Sequence, residues 1–131
     1  MKFKKVILVL TNTNDQDIVK AAIQLCKKFK SKLFVLFVVE TGRISRLARL
    51  TQKKSDMLRK KIEDEGWQLL YLIEDDADNA GIWTSLHLED GNATMIAKKY
   101  IDAYSLDTML IKRKDETKQL FVSSTVPVIG L

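Results

Sequence analysis

The fold is decided early in the chain, where VILVL (residues 6–10) is followed, after one helix-length segment, by LFVLFVV (residues 33–39). Both runs are rich in β-branched residues, and each predicts a strand that is buried on both faces. The segment between them places Ile18, Ala22 and Leu25 at helical spacing, which predicts an amphipathic helix. A strand, helix and strand this close together require a right-handed parallel crossover. The sequence therefore predicts an α/β sheet.

The rest of the chain continues the alternation of strand and helix patterns. Apolar residues recur at helical intervals over residues 43–80, which predicts one long helix or two consecutive helices, ended by Gly81. The other predicted strands are 82–88, 108–111 and 126–131, the other predicted helices are 95–104 and 116–122, and residues 90–92 are predicted as a turn and helix cap. No linker or repeat interrupts this pattern, so we predict a single domain over residues 1–131.

The composition limits the class of protein and its compartment. The 131 residues are 46% hydrophobic and 30% charged, with a net charge of +5, which is typical of a chain that folds around a core. The only cysteine, Cys26, has no intrachain partner for a disulfide, which favours a reducing compartment. The apolar run at residues 6–10 is too short for a signal peptide, and no stretch approaches the ~20 apolar residues of a membrane span. We therefore expect a cytoplasmic protein that does not contact a membrane.

Four groups of segments recur in an order and spacing that resemble the universal stress protein family. They are residues 6–10 with the polar loop that follows; residues 22–29 running into 33–39; Ala80-Gly81-Ile82 with Gly91 and Ala97; and residues 107–111 with 126–129. The resemblance spans almost the whole chain. It implies a three-layer, doubly wound sheet of five parallel strands with about four helices, similar to the adenine nucleotide alpha hydrolase-like fold. It also implies that the chain pairs as a homodimer, because many members do so through the terminal strand.

The family divides into members that bind ATP and members that do not, and this sequence departs from the ATP-binding pattern after its fourth strand. There the ATP-binding members carry a loop with three spaced glycines, whose backbone approaches the phosphates closely. Here Ile111 is followed by KRKDET (residues 112–117), and no glycine occurs before Gly130. The resemblance therefore implies a non-enzymatic stress-response protein of the non-ATP-binding type, with no cofactor.

An alternative is that the chain binds an adenine nucleotide or another phosphorylated ligand without the glycine loop. Ligands of open α/β sheets bind at the carboxyl ends of the strands, where the strand order reverses, and Lys and Arg can hold a phosphate by charge. The candidate ligand-binding residues at these ends are Thr11, Asn12, Thr13, Asn14, Asp15, Val39, Glu40, Lys112 and Arg113. The polar loop also has a purely structural interpretation, because Asn and Thr side chains terminate strands and cap helices.

Charges of opposite sign occupy neighbouring blocks of the sequence. Residues 43–61 contain eight Lys and Arg residues against one acidic residue, whereas residues 62–90 contain nine acidic residues and no Lys or Arg. A helix through the first block would align Arg43, Arg46, Arg49 and Lys53 in one stripe. We interpret this stripe either as a contact surface or as a solvated face. As a contact surface it could meet an acidic protein partner, a phosphate backbone, or the acidic block of another subunit. Nucleic-acid binding is not expected, since no basic patch is interleaved with exposed aromatic residues.

The terminal strand is the predicted homodimer interface. Its residues are Val126, Pro127, Val128, Ile129 and Leu131. Proline belongs on an edge strand, where the missing N–H has no ladder partner, and an apolar edge favours pairing with a second copy.

No constellation of residues indicates catalysis or a metal site. His87 lies within a strand pattern, and no second His or Cys stands at ligand spacing. The acidic residues near Glu74 lack the glycine of a calcium loop. Cys26 lies on the apolar face of the first helix and is predicted to be buried and inert. We therefore expect no metal and no enzymatic activity.

Overall fold

A computed structural model describes residues 2–131, except for the side chain of Asp115. The elements in chain order are β1 (Lys5–Leu10), a 3-10 helix (Thr13–Ile18), α1 (Val19–Phe29), β2 (Lys32–Glu40), α2 (Thr41–Thr51), α3 (Ser55–Asn79), β3 (Thr84–Gly91), α4 (Ala93–Tyr104), β4 (Thr108–Ile111), a short 3-10 turn (Asp115–Thr117), α5 (Lys118–Ser123) and β5 (Val128–Gly130). All strand pairs are parallel, and the sheet has the order β3-β2-β1-β4-β5. The predicted α/β fold with five parallel strands is confirmed.

Helices cover both faces of the sheet, which gives the predicted three layers. One face of β1, represented by Val6, Leu8 and Leu10, packs against α1, α2 and α3. The opposite face, represented by Ile7 and Val9, packs against α4 and α5. Each of these strand side chains is at most 2% exposed. The continuous apolar runs in the sequence arise because β1 and β2 are buried on both faces.

The middle of the chain forms two helices, so the second of the two predicted arrangements is correct. Helix α2 ends at Thr51, the residue after it, Gln52, has a left-handed φ of 56°, and α3 begins at Ser55. With this division the described residues form five α-helices rather than about four. Helix α3 ends before Gly81, which has a φ of 75°, as the pattern predicted.

Two predicted strand boundaries are wrong. The third strand is Thr84–Gly91 rather than residues 82–88, because it follows β2 up to Glu40. Residue 90 and Gly91 therefore belong to a strand, although Asn92 does cap α4 by accepting a hydrogen bond from the Met95 N–H at 3.0 Å. The terminal strand is only Val128–Gly130, because β4 offers it three partner positions.

Helix α3 lies close to the sheet through one residue without a side chain. A Cβ atom on Gly66 would lie 2.8 Å from a ring carbon of Phe37 and 2.9 Å from a methyl of Leu88. Glycine is therefore required here for close packing, and α3 covers β2 and β3. Among the described residues, no helix combines the length and apolar character needed to span a bilayer.

Candidate ligand site

The loop after β1 is organised by one buried carboxylate. Asp15 is 2% exposed, and its Oδ2 accepts hydrogen bonds from the N–H groups of Thr11 at 3.1 Å and Asn12 at 3.2 Å. Asn12 in turn caps the 3-10 helix by accepting a hydrogen bond from the Asn14 N–H at 2.9 Å. The polar loop therefore performs the capping function that its residue types favour.

Two ion pairs connect this loop to the segment after β4. Lys114 Nζ lies 2.7 Å from Asp15 Oδ1, and the two side chains are 19% and 3% exposed. Lys112 Nζ lies 2.6 Å from Asp17 Oδ2 nearer the surface. The hydrogen bond to Lys112 lowers the pKa of Asp17, and the same bond raises the pKa of Lys112. The segment after β4 therefore directs two cations toward carboxylates of this chain.

Thr117 holds the segment after β4 in place. It is 3% exposed, and its hydroxyl lies 2.8 Å from the carbonyl oxygens of both Lys112 and Lys114 and 3.2 Å from the N–H of Lys114. These hydrogen bonds close the chain into a tight turn directly before α5.

A cavity of about 130 Å³ lies beside the ends of β1 and β2, under α2. Its polar lining includes Thr11, Asn12, Thr13, Glu40 and Arg43. Arg43 Nη1 donates a hydrogen bond to the Thr11 carbonyl at 3.2 Å and lies 3.9 Å from Glu40 Oε1. Thr11 Oγ1 is buried, and the described residues offer it no hydrogen-bond partner. A buried hydroxyl without a partner costs free energy, and Thr11 is also one of the residues that line the cavity.

The nine predicted ligand residues do not form one site. Five of them line the cavity, namely Thr11, Asn12, Thr13, Val39 and Glu40. Asp15 and Lys112 are held in the ion pairs, and Asn14 is exposed. Arg113 packs beside Gly130 of β5, with its Nε 3.2 Å from the position of a Cβ on that glycine. The structure therefore separates the two predicted cations, Lys112 and Arg113, from the cavity.

Three residues at this end of the sheet were missed as candidates for the ligand site. Arg43 was predicted only as part of the stripe, and Lys114 and Asp17 were not predicted at all. A usable signal was present, because the loops after two adjacent strands carry opposite charges. That signal requires the strand order, which places β1 next to β4.

The predicted basic stripe is broken. Arg43 turns inward to the Thr11 carbonyl, and Lys53 lies beyond the end of α2 at Thr51. Of the four residues of the stripe, Arg46 and Arg49 are exposed and lie on α2 itself. A stripe of four residues is therefore wrong, and two exposed arginines remain.

His87 and Cys26 lie away from the cavity. His87 Nε2 is 2.7 Å from Ser85 Oγ, and its ring meets that of Tyr100 edge-on at 4.8 Å. Burial lowers the pKa of His87. Cys26 is buried, and burial raises the pKa of its thiol to about 12. In the part of the chain that the structure describes, no three His, Cys, Asp or Glu side chains group as metal ligands.

The free edge of β5 is bordered by apolar side chains of α5. Because the Pro127 carbonyl and the Leu131 N–H bond to β4, the main-chain groups of Val128 and Gly130 point away from the sheet. Phe121, which is 36% exposed, packs against Gly130, and the next residue, Val122, is 81% exposed. The terminal strand thus forms one open edge of the sheet.

No family model matches the sequence, and no curated protein matches it. Solved structures do match its fold. The chain superposes on UspA from Lactobacillus plantarum with a TM-score of 0.81 at 9% identity, covering 100% of this chain and 99% of that one. It superposes on a universal stress protein family member from Burkholderia pseudomallei with a TM-score of 0.80 at 12% identity, covering 98% and 96%. A universal stress protein family member from Arabidopsis thaliana, solved with AMP bound, gives 0.64 at 12% identity, covering 98% and 90%.

The fold is that of the universal stress proteins. The resemblance predicted from the order of segments is confirmed at the level of structure, with matching architecture over nearly the full length of each chain.

Proposed function

We propose that this chain is a non-enzymatic, cytoplasmic protein of the universal-stress-protein type that does not bind ATP. It acts in the stress response through homodimerisation and protein contacts. The observation that carries this proposal is the pairing of Lys114 with Asp15 and of Lys112 with Asp17. These pairs occupy the segment after β4, where ATP-binding members of the family hold the phosphates.

The electrostatics of this segment oppose phosphate binding. A phosphate would have to displace a carboxylate from Lys114, and the buried Asp15 carboxylate would then lose its counter-charge. It would also meet the negative charges of Asp15 and Asp17 at close range. No glycine follows Ile111 before Gly130 to let the backbone approach the anion.

The apolar border of β5 supports a homodimer. Two copies that join along this edge would pair the outward main-chain groups of Val128 and Gly130 and cover Phe121 and Val122. Arg46 and Arg49 then remain as the basic part of a surface for an acidic protein partner, and charge reversal at both positions tests that contact.

Sedimentation velocity at micromolar concentration tests the dimer. We expect the mass of two chains for the natural protein and of one chain for Val122→Asp, because the new carboxylate would be buried without a partner. Leu50→Asp is the matched control, since Leu50 is also 81% exposed but lies on α2. A natural protein that sediments as a monomer contradicts the homodimer.

A second candidate function is binding of an adenine nucleotide or another phosphorylated small ligand in the cavity. The position of the cavity favours it, since five of the predicted ligand residues line it at the carboxyl ends of β1 and β2. The volume of about 130 Å³ is below the ~150 Å³ of a cavity that holds benzene, so only part of such a ligand would lie inside and the rest would extend over the rim.

Thermal unfolding in the presence of ATP, AMP and cyclic dinucleotides separates the two functions. A ligand at about 100 times its Kd adds about 2.7 kcal/mol of stability, so binding raises the melting temperature. Under the first function none of these ligands raises it. Under the second, one of them does, and Thr11→Val reduces the rise because the variant keeps the shape and removes the hydroxyl.

A further inference from the structure

The opposite edge of the sheet, formed by β3, is long and unpaired. The Leu33 N–H donates to the Trp83 carbonyl at 3.0 Å, so odd-numbered residues of this strand face β2. Successive residues point to opposite sides, and the main-chain groups of Thr84, Leu86, Leu88 and Asp90 therefore face outward. No hydrogen bond to these outward main-chain groups is described within residues 2–131. The edge presents a row of free donors and acceptors.

Features that protect an edge strand are missing from most of β3. Natural edges are blunted by prolines, charged side chains, bulges or short length. β3 has eight residues, pairs continuously with β2, and carries charges only near its end, at Glu89 and Asp90. By contrast, β5 at the other edge has three residues and follows Pro127. The β3 edge is thus the more suitable of the two for adding a long strand.

Exposed aromatic side chains border this edge on the α3 side. The groove between α3 and the first 3-10 helix is lined by Gln68 and Leu72. This flank of α3 therefore faces the 3-10 helix that follows β1. Trp67 and Tyr71 lie about 100° back around the helix, on the flank toward the free edge of β3. Their rings stack at 5.7 Å, and they are 36% and 57% exposed.

A second aromatic group borders the edge on the α4 side. Trp83, directly before β3, is 52% exposed, and its ring meets that of Phe34 edge-on at 5.3 Å. Tyr104, 42% exposed, lies against the same Phe34 ring at 5.1 Å. Aromatic surface therefore flanks the edge on both faces of the sheet.

The charges around the edge differ between its two sides. On the α3 side, Glu74 and Asp78 share the flank of Trp67 and Tyr71 by helical spacing, and residues 62–91 contain no Lys or Arg. Glu63 lies on the same flank but pairs with Arg59, whose Nε is 3.6 Å from its Oε1. On the α4 side the lysines are already engaged. Lys32 Nζ lies 5.4 Å from the centre of the Trp83 ring, and Lys99 pairs with Glu89. Positive charge in a partner is therefore favoured on the α3 side.

We propose that the β3 edge docks an extended segment of a partner protein, which adds a sixth strand to the sheet. The segment carries Lys or Arg at alternate positions facing α3, where they meet Trp67, Tyr71 and the acidic residues. Its intervening side chains are apolar and face Trp83 and Tyr104. Main-chain pairing supplies affinity, and the alternation of side chains supplies specificity.

Binding of synthetic peptides tests this site. The probe is a short fluorescein-labelled peptide in which Lys and Val alternate, and its counterpart alternates Glu and Val. We expect the Lys peptide to bind, the Glu peptide not to bind, and the bound peptide to slow amide hydrogen exchange at Thr84, Leu86, Leu88 and Asp90. These are the outward-facing amides of β3.

Variants separate the site from general effects. Trp67→Ser combined with Tyr71→Ser should weaken binding by at least about tenfold. Thr84→Pro should also weaken it, because proline is tolerated at the first residue of a strand but removes an outward N–H. The control is Leu50→Ser with Met95→Ser, which removes exposed apolar groups away from both edges of the sheet and should leave affinity unchanged.

Several results would overturn the proposal. They are equal binding of the two peptides, undiminished binding by the Trp67 and Tyr71 variant, or exchange protection outside β3. Concentration-dependent protection of the β3 amides without peptide would instead assign the edge to a second copy of the chain. The homodimer at β5 is independent of all of these, because it is read from the mass of the Val122→Asp variant.

Discussion

Asp15 is the residue on which the carboxyl end of the sheet depends. It accepts two backbone hydrogen bonds from the loop after β1 and pairs with Lys114 from the segment after β4. We predict that Asp15→Asn destabilises the fold by about 1–3 kcal/mol, because it leaves the partly buried Lys114 ammonium without its counter-charge. Urea denaturation measures this change.

The matched control for this prediction is Asp17→Asn. Asp17 also pairs with a lysine, but its side chain is 59% exposed. An exposed pair contributes about 0–1 kcal/mol, so the free energy of unfolding should change little. Equal losses in the two variants would contradict the assigned importance of burial.

His87 provides a pH-dependent contribution to stability. Burial lowers its pKa in the folded state below the ordinary value of 6.5, which disfavours protonation, while the charge of Glu89 partly opposes the shift. The unfolded chain therefore binds more protons as the pH falls below 6.5, and stability decreases from there toward the lower folded-state pKa. Above pH 6.5 the imidazole is neutral in both states and contributes nothing.

We predict that His87→Gln removes this part of the pH dependence. Denaturant midpoints measured at about pH 7.5 and 5.5 should differ less for the variant than for the natural protein. Glu89 does not confuse the comparison, because its hydrogen bond with Tyr100 lowers the pKa of its carboxyl from 4.5, outside this window. An unchanged difference would show that another group titrates.

At the scale of elements, the contact between α3 and the sheet depends on the missing side chain of Gly66. We predict that Gly66→Ala destabilises the protein by about 1–3 kcal/mol, since the new methyl would overlap Phe37 and Leu88 in a packed core. Gly42→Ala is the control, because nothing lies within 4 Å of its added Cβ. Gly42 lies in the first turn of α2, so the control should show no loss of stability in thermal unfolding.

The elements that could be predicted from the sequence are those whose burial is symmetric. The β1 and β2 runs are apolar without interruption because both faces are covered, and so their type and direction were predictable. The sequence pattern does not decide whether α2 and α3 are separate helices, because Gln52 adopts a left-handed φ without being glycine. The predicted length of β5 is too long, because its true length is set by pairing with β4, which is distant in the sequence.

The candidate site was predicted only in part, for reasons of the same kind. The rule that ligands bind at carboxyl ends of strands located Thr11, Val39 and Glu40 at a real cavity. The engagement of Lys112 by Asp17 joins residues 95 positions apart, and no local pattern reveals it. The spacing of Arg43 predicted a surface residue of the stripe, whereas its guanidinium donates a hydrogen bond to the Thr11 carbonyl.

At the scale of the whole molecule, the strand order places β5 and β3 at opposite ends of the sheet. We predict that the protein binds the Lys and Val peptide with two peptides per dimer, and that Val122→Asp converts this to one peptide per monomer. Sedimentation with labelled peptide gives both numbers. A dimer that binds a single peptide would mean that dimerisation covers one of the β3 edges.

In the proposed dimer, the same strand order leaves two β3 edges free, so that one dimer has two binding sites for a partner. If the two sheets continue across the β5 junction, ten strands about 4.8 Å apart separate the two outer β3 edges by roughly 40–45 Å. A partner carrying two basic segments on a flexible tether of roughly 60 residues would span that distance. Binding of its second segment would then be intramolecular, and the complex would persist through avidity even where each edge binds weakly.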